Sequence, residues 1–469
     1  MEYNVIVNVF SFVLLVAALA LHRWKGKGSR SGVAVTSTVS NADFVSFRNV
    51  FVIGHVGCLF AESLQAPFLY VLFNSYGYLE SQIAVLYMSG LLVNIVFTMV
   101  TARLVQRVER RLLCCLCISL SCVACLLKLS QAYEVLLVSR ALDGVVASLL
   151  LVPFHEWYLH EHLIRHDFPT EWIAVAFREV AVAHGFLAIV DDTQEAKGYF
   201  ADMLVRVSGL VVSPFLMSVV FHIASGTWIF QKWPPNRLDI SKRSYFCGEA
   251  LGAIRVLVVR PKVLLLCTIQ ALFESTLCLF IFLWTPLLLP SRPLILDGPN
   301  FGVIFACFMA SALLGTLLHH RLRCMIQEST LLWLSVSLSF IGMTAAVIIS
   351  YPTATSVLRF YVLVVTFCLY EFGVGMYFPT MQYLQKHLLP AENRSALLVL
   401  VRVPLNALAV CGLLFLHSQE YFGNWMLMCF CMISLIIILM LSLLLNSLLG
   451  DAPTDSAHVF SHLSSEPDD

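Results

Sequence analysis

The sequence predicts an all-α membrane protein made of two six-helix halves and one additional N-terminal helix. Its 469 residues are 59% hydrophobic and only 12% charged, and the mean hydropathy is +0.84. A soluble chain carries about a quarter charged residues, so this composition indicates a protein with several membrane spans. Apolar stretches of about 20 residues recur along the chain, and similar words in its two halves indicate an internal repeat.

Thirteen apolar stretches predict the transmembrane helices and their order. The first, residues 3–22, is followed by the basic segment HRWKGKGSRSG and not by a small-residue cleavage site. This favours an uncleaved anchor over a signal peptide. The other twelve predicted helices span residues 46–73, 82–105, 111–130, 134–158, 172–190, 202–230, 262–290, 300–320, 330–350, 356–384, 395–417 and 424–450.

A basic central segment divides the twelve helices into two groups of six. The chain is therefore divided into an N-terminal helix with a basic linker (1–45), a first half (46–230), a central loop (231–261), a second half (262–450) and a tail (451–469). Lysine and arginine concentrate in alternate loops, whereas the opposite loops hold only Lys197 and Arg292. By the positive-inside rule, the basic loops and the tail are predicted to be cytoplasmic.

Short words repeated in the two halves indicate duplication. LFAESL in the first half resembles LFESTL in the second and aligns Glu62 with Glu274. YLHEHL resembles YLQKHL, and each half then places an arginine, Arg178 or Arg402, near the start of the next helix. Parallel six-helix repeats are typical of transporters that hold a substrate near the membrane midplane between the halves.

Three glutamates lie inside apolar helices, where a charged group is costly and often functional. Glu62 and Glu274 are candidate proton-coupling residues. The alternative interpretation makes them structural carboxylates bonded to Gln65, Gln270 or a serine. Glu371 lies in a glycine-broken stretch and is a candidate for gating or coupling, with helix packing as the alternative.

Three arginines are candidate substrate-binding residues. Arg140 needs a partner inside a helix bundle, and Asp143, three residues further along the same face, is a candidate for that partner and for coupling. The alternative role for this pair is to brace the helix. Arg178 and Arg402 are candidate anion ligands because guanidinium binds oxyanions through two parallel hydrogen bonds. Their alternative role is to reach the cytoplasmic headgroups.

Several other classes of site and partner are not expected. The 29 basic and 29 acidic residues leave no surplus of positive charge for a nucleic acid. HEWYLH spaces its histidines one residue too widely for a zinc-protease face, and the cysteines between Cys114 and Cys125 lie in one apolar helix that cannot close around a metal. No word such as GxxxxGKS predicts an ATP-driven pump. We expect no metal, no cofactor and no enzymatic activity, and membrane lipid as the surrounding partner.

Eight words spread over residues 60–420 carry a family resemblance: ESLQAPFLYVLF, LLVSRALDG, WYLHEH, RHDFPTEWI, CTIQALFES, FLWTPLL, YFPTM and RVPLNALAVCGLL. In these words the chain resembles the molybdate-anion transporter family of the major facilitator superfamily. The resemblance implies the major facilitator fold and import of the molybdate oxyanion across the plasma membrane by alternating access. Composition and spacing alone indicate only a small anion or a polar solute.

The chain departs from the family words at three places, which indicates a divergent member. Gln106 and Glu109 stand where the superfamily's cytoplasmic motif has an aspartate and a glycine. His155 precedes Glu156 where the family word has the acid directly after phenylalanine, and Asp143 stands where relatives favour glycine. Two other functions stay open: transport of another small anion, such as sulfate or an organic anion, and a non-transporting receptor or scaffold on the same fold.

Overall fold

The computed structural model describes residues 41–189, 200–236, 246–289, 301–351, 357–390, 393–417 and 423–450, together with several residues between 7 and 20. Every regular element in these ranges is helical. Eleven helices in the described part of the chain are long and apolar enough to cross a membrane. The predicted all-α membrane fold is confirmed, whereas its division into six and six helices stays a prediction.

The α-helices of the described ranges are numbered here in chain order. In the first half they are α1 (Ala42–Gln65), α2 (Leu69–Ser75), α3 (Glu80–Arg107), α4 (Arg110–Leu127), α5 (Tyr133–His160), α6 (Glu171–Ile189), α7 (Phe200–Ser208) and α8 (Ser213–Lys232). In the rest of the chain they are α9 (Phe246–Val259), α10 (Pro261–Leu288), α11 (Phe301–Leu322), α12 (Glu328–Ser350), α13 (Val357–Leu388), α14 (Arg394–His417) and α15 (Gly423–Gly450).

Two segments differ from the sequence-based prediction. The single helix predicted at 202–230 is divided into α7 and α8, because Gly209 adopts a φ of +69° that side chains disfavour. Pro214 then occupies the first turn of α8, where its missing N–H has no intrahelical partner to lose. The segment interpreted as a central loop contains helix α9, which packs against α14.

The same helix contacts recur in the two halves. In the first half α3 and α4 pack against α5, and α8 packs against α1 and α4. In the second half α11 and α12 pack against α13, and α15 packs against α10 and α12. Likewise α1 contacts α6 in the first half, and α10 contacts α14 in the second. The halves contact each other where α3 packs against α14 and where α6 packs against α11. These matched contacts are those expected of the internal repeat inferred from the sequence.

The predicted N-terminal helix packs on the second half through those of its residues that the structure describes. Ala18 is fully buried in a cluster with Leu313 and Leu317 of α11. Val7 is 6% exposed and belongs to the main apolar core. The described residues of this segment are therefore a packed part of the fold.

Glycines allow the close approach of helices within each half. A Cβ atom on Gly144 of α5 would overlap the carbonyl oxygen of Gly90 on α3. In the second half a Cβ atom on Gly375 of α13 would overlap the carbonyl oxygen of Ala312 on α11. Small residues at such crossings let helix backbones approach in a membrane, where van der Waals contact drives association.

Gly375→Ala is expected to lower the thermal unfolding temperature of the detergent-purified protein. The added methyl group meets the backbone at Ala312, and overpacking of this kind costs about 1–3 kcal/mol. The matched control is Gly226→Ala, whose methyl group meets only the flexible side chain of Ile118 at 3.2 Å. Equal unfolding temperatures for the two variants would contradict this account of α11–α13 packing.

Candidate functional site

A buried cluster of charges joins α4 and α5 in the first half. Asp143 Oδ1 lies 2.9 Å from Lys128 Nζ, and its Oδ2 lies 2.5 Å from an Arg140 amino group. The Lys128 side chain is only 1% exposed, and the Arg140 guanidinium lies 5.0 Å from the ring centroid of Tyr87. The Arg140–Asp143 contact expected from their spacing is confirmed, and the carboxylate is shared with a lysine.

Glu62 accepts hydrogen bonds from side chains of two helices and lies close to a histidine of a third. Ser121 on α4 donates to Glu62 Oε1 at 2.8 Å, and Gln65 on α1 donates to Oε2 at 3.4 Å. His222 Nε2 on α8 lies 3.2 Å from Oε1. Lys128 Nζ donates to Gln65 Oε1 at 3.2 Å, so Gln65 links Glu62 to the buried charges. We call the whole set the first-half polar network.

The formal charges of the first-half polar network balance. With both carboxylates ionised and His222 neutral, Lys128 and Arg140 contribute two positive charges and Asp143 and Glu62 contribute two negative charges. Buried charges are stable only when they are paired and hydrogen-bonded. A proton added to this network therefore leaves one net positive charge inside the first half.

Glu274 has a different set of partners in the second half. Gln270 Nε2 donates to Glu274 Oε1 at 3.0 Å, and Gln385 on α13 donates to Gln270 Oε1 at 2.8 Å. Arg402 on α14 is close enough to Glu274 for their charges to interact. Both glutamates thus bond a glutamine of their own helix, as the structural alternative foresaw, but only Glu274 lies near one of the candidate anion ligands.

The two arginines at equivalent sequence positions have different surroundings. Arg178 on α6 is close enough to His320 on α11 for an electrostatic interaction, whereas Arg402 lies near Glu274. Within the described ranges neither arginine is in salt-bridge contact with a carboxylate. Both are half-buried. The structure therefore leaves their guanidinium groups less neutralised than that of Arg140.

Glu371 lies on α13 and is 7% exposed. Its charge interacts with the side chains of Cys368 and Tyr370 on the same helix. Two residues further along α13 is Gly373, where a Cβ atom would overlap Ser339 Oγ on α12. Glu371 is thus embedded at a close helix crossing.

Several polar side chains are accessible although they lie deep in the molecule. They are His55, His155, His184, Glu274 and Arg402. Accessibility at such depth is expected of side chains that line an internal cavity. Both halves contribute to this set: the histidines come from α1, α5 and α6, and the other two residues come from α10 and α14. This set is called the cavity residues below.

Contacts between the halves join them at the end where the loops are poor in lysine and arginine. Asp202 on α7 accepts hydrogen bonds from the backbone N–H groups of Gly302 (3.1 Å) and Val303 (2.8 Å) at the start of α11. A carboxylate is favourable there because the first N–H groups of a helix lack intrahelical partners. Asn424 donates to Glu80 in the same region. These contacts join the halves at that end.

Lys128 and His222 contact candidate residues, and Gln385 contacts Gln270, the partner of Glu274, but the sequence did not single them out. His222 lies 160 residues beyond Glu62 in numbering and meets it only because α1 packs on α8. Lys128 carried a local signal, since it is the one lysine of the predicted helix at 111–130. A buried cation needs a partner, which points to Asp143. Gln385 carried no such signal.

Comparisons with known proteins identify one family profile and several similar transporters. A family profile described as sugar transporters, 12 TM, matches residues 7–374. The molybdate-anion transporter of Danio rerio is 34% identical over 412 residues, covering 82% of each chain. That of Xenopus laevis is 35% identical over 392 residues, covering 83% of each chain. That of Takifugu rubripes is 33% identical over 410 residues, again covering 82% of each chain.

Solved structures of the nucleoside transporter NupG share the fold. A mutant form has a TM-score of 0.67 with 10% identity and covers 85% of this chain and 99% of that chain. A second NupG structure has a TM-score of 0.62 with 11% identity. At such low identity the likeness bears on the fold alone.

Proposed function

Because the chain belongs to the molybdate-anion transporter family of the major facilitator superfamily, we propose that it imports molybdate or a similar tetrahedral oxyanion across the plasma membrane. The protein is a multi-pass secondary transporter and not an enzyme. The oxyanion moves by alternating access of a site between the two halves. The tail after residue 450 is placed in the cytoplasm on the loop distribution of lysine and arginine.

The observation that carries this proposal is the position of Arg402. It is a cavity residue that no carboxylate neutralises by salt-bridge contact within the described ranges. A guanidinium offers a rigid fork of donors that matches the oxygens of an oxyanion. The neutralised pair Arg140–Asp143 is less suited to this task, so we assign it to bracing α5.

Arg178 and the three cavity histidines supply further donors in the first half. His55 Nδ1 and His184 Nε2 are buried and have no hydrogen-bond partner in the described structure. Buried polar atoms are nearly always bonded, so these nitrogens are suited to meeting a polar ligand. In this proposal, donors from the first half and Arg402 from the second approach the same anion.

Molybdate uptake in cells that express the protein tests the proposal. Cellular molybdenum is measured by mass spectrometry after brief exposure to molybdate, with sulfate as the competitor and non-expressing cells as the control. Saturable uptake that sulfate inhibits only weakly is expected. Stronger uptake of sulfate or of an organic anion would reassign the substrate, and unchanged uptake of every anion tested would favour a receptor or scaffold.

Proton coupling is proposed to depend on Glu62 and Glu274, and replacement by glutamine tests it. Glutamine resembles a permanently protonated glutamate. If a glutamate carries the coupled proton, its replacement by glutamine should therefore make uptake almost independent of pH. Glu134→Gln, at an exposed position of α5, is the control and should keep the wild-type pH profile. A wild-type profile in both single variants and in the double variant would exclude the two carboxylates from coupling.

A further inference from the structure

The hydrogen bonds around His222 determine which of its ring nitrogens carries hydrogen. Ser218 Oγ donates its one hydrogen to the carbonyl oxygen of Ala61 at 2.7 Å, so towards other groups this hydroxyl only accepts. His222 Nδ1 lies 2.9 Å from the Ser218 carbonyl oxygen and 3.2 Å from Ser218 Oγ. Both neighbours of Nδ1 are therefore acceptors, and Nδ1 must be the N–H donor.

The other ring nitrogen of His222 then faces an acceptor. In the neutral ring with hydrogen on Nδ1, Nε2 has only a lone pair. Its neighbour at 3.2 Å is Glu62 Oε1, which is also an acceptor when the carboxylate is ionised. Two lone pairs at this separation repel each other. A proton on Nε2 or on the carboxyl group turns this contact into an attraction.

The remaining partners of Glu62 do not supply that proton. Ser121 and Gln65 donate their own covalently held hydrogens to the two carboxylate oxygens. The orientation of Gln65 is fixed, because its Oε1 accepts from Lys128 and its Nε2 also donates to Ser218 Oγ at 3.1 Å. The proton between His222 and Glu62 must therefore come from outside the network.

We propose that Glu62 and His222 together hold one exchangeable proton between Oε1 and Nε2, and that this pair is the proton-coupling site of the transporter. The inference rests on the proposed function and assigns coupling to one of its two candidate glutamates. His222 is fully buried, whereas the Glu62 side chain is 33% exposed. The proton therefore enters and leaves through Glu62, and His222 positions and shares it.

The charge of the network gives the direction of coupling. The titratable or charged groups around the pair come from α1, from α4 with its C-cap and from α5: Cys58, Cys117, Cys122, Cys125, Lys128, Arg140 and Asp143. With neutral thiols the network has no net charge before the proton binds and one positive charge afterwards. A positive first half attracts an anion in the adjoining cavity, so proton and oxyanion bind together and move in the same direction.

The second half has no equivalent of this pair. Glu274 is aligned with Glu62 in the repeat, but its hydrogen-bond partner on the same helix is Gln270 and its charged neighbour is Arg402. No histidine contact to Glu274 occurs in the described ranges. A permanently charged arginine does not exchange a proton near neutral pH. The first half is thus assigned to the proton and the second to the anion.

His222→Gln tests the assignment by molybdate uptake measured from about pH 6 to about pH 8. For one coupled proton, wild-type uptake at low molybdate should fall about tenfold per pH unit above its midpoint. His222→Gln and Glu62→Gln should each reduce this change to less than about twofold. The double variant should show the same residual dependence of uptake on pH as either single variant. His387→Gln, which changes an exposed residue at the end of α13, is the control and should keep the wild-type pH profile.

Ser121→Ala keeps the test decisive if His222→Gln does not fold. It removes a donor to the ionised carboxylate, so the midpoint of the wild-type pH profile should move to higher pH. Infrared difference spectra of the purified protein, titrated without any anion, should show a carboxyl signal that both Glu62→Gln and His222→Gln alter. Spectra and profiles unchanged in all these variants would overturn the assignment. Normal spectra with no molybdate uptake by the wild type would instead overturn the proposed function.

Discussion

Arg402→Ala is expected to lower the apparent affinity for molybdate about ten- to a hundredfold. Losing a charge-assisted hydrogen-bond contact costs about 1.5–3 kcal/mol, and about 1.4 kcal/mol corresponds to a factor of ten. Arg402 is a cavity residue near Glu274, so its removal also leaves that carboxylate facing the anion without compensation. The measurement is the concentration dependence of molybdate uptake, corrected for the amount of protein at the cell surface.

Two further variants make the Arg402 result specific. Arg402→Lys keeps the charge but loses the planar fork, so it should fall between the wild type and Arg402→Ala. Arg178→Ala should have a smaller effect, because Arg178 lies towards His320 on α11 and not beside Glu274. Normal affinity in surface-delivered Arg402→Ala would show that the arginine reaches towards headgroups and is not part of the anion site.

Asp143→Asn is expected to destabilise the protein by about 3–5 kcal/mol, the typical cost of leaving a buried charge without its partner. Asp143 is the carboxylate shared by Lys128 and Arg140, and Lys128 is almost fully buried. Asparagine has a similar shape but no charge, so two cations would remain close together. The thermal unfolding temperature of the detergent-purified protein should fall clearly below that of the wild type.

Glu134→Gln is the matched control for Asp143→Asn, since it removes a carboxylate from an exposed position of the same helix and should change the unfolding temperature little. Adding Lys128→Met to Asp143→Asn removes one of the two uncompensated cations. The double variant should therefore be more stable than Asp143→Asn alone. If Asp143→Asn has the same unfolding temperature as the wild type, the ion pairs do not stabilise the packing of α4 against α5.

The sequence predicts the membrane fold well because the physical requirement is simple. A helix that crosses the bilayer needs about 20 apolar residues, and the pattern of such stretches corresponds to most of the observed helices. Local backbone features are harder to predict. The break between α7 and α8 depends on the left-handed conformation at Gly209, and helix α9 lies in a segment chosen as a loop for its basic residues.

The candidate site was predictable where its contacts are local. Gln65 lies three residues after Glu62 and Gln270 lies four residues before Glu274, which are neighbouring positions on a helix. Contacts between distant helices were not predictable from one sequence. His222 meets Glu62 only through the packing of α8 on α1.

The internal repeat also has a limit as a guide to the site. It predicts equivalent places for Arg178 and Arg402, but equivalent places in two diverged halves need not have equivalent neighbours. Arg178 lies near His320, whereas Arg402 lies near Glu274. The side chains that surround each arginine, and not its position in the repeat, decide whether it can bind an anion.

Transport of labelled molybdate into liposomes that contain only the purified protein tests the central claim most directly. We predict saturable accumulation above that of protein-free liposomes, driven by an inward proton gradient and reduced by Arg402→Ala. Glu134→Gln, which changes an exposed residue of α5, should transport like the wild type. Molybdate accumulation equal to that of protein-free liposomes, with or without the proton gradient, would contradict the account.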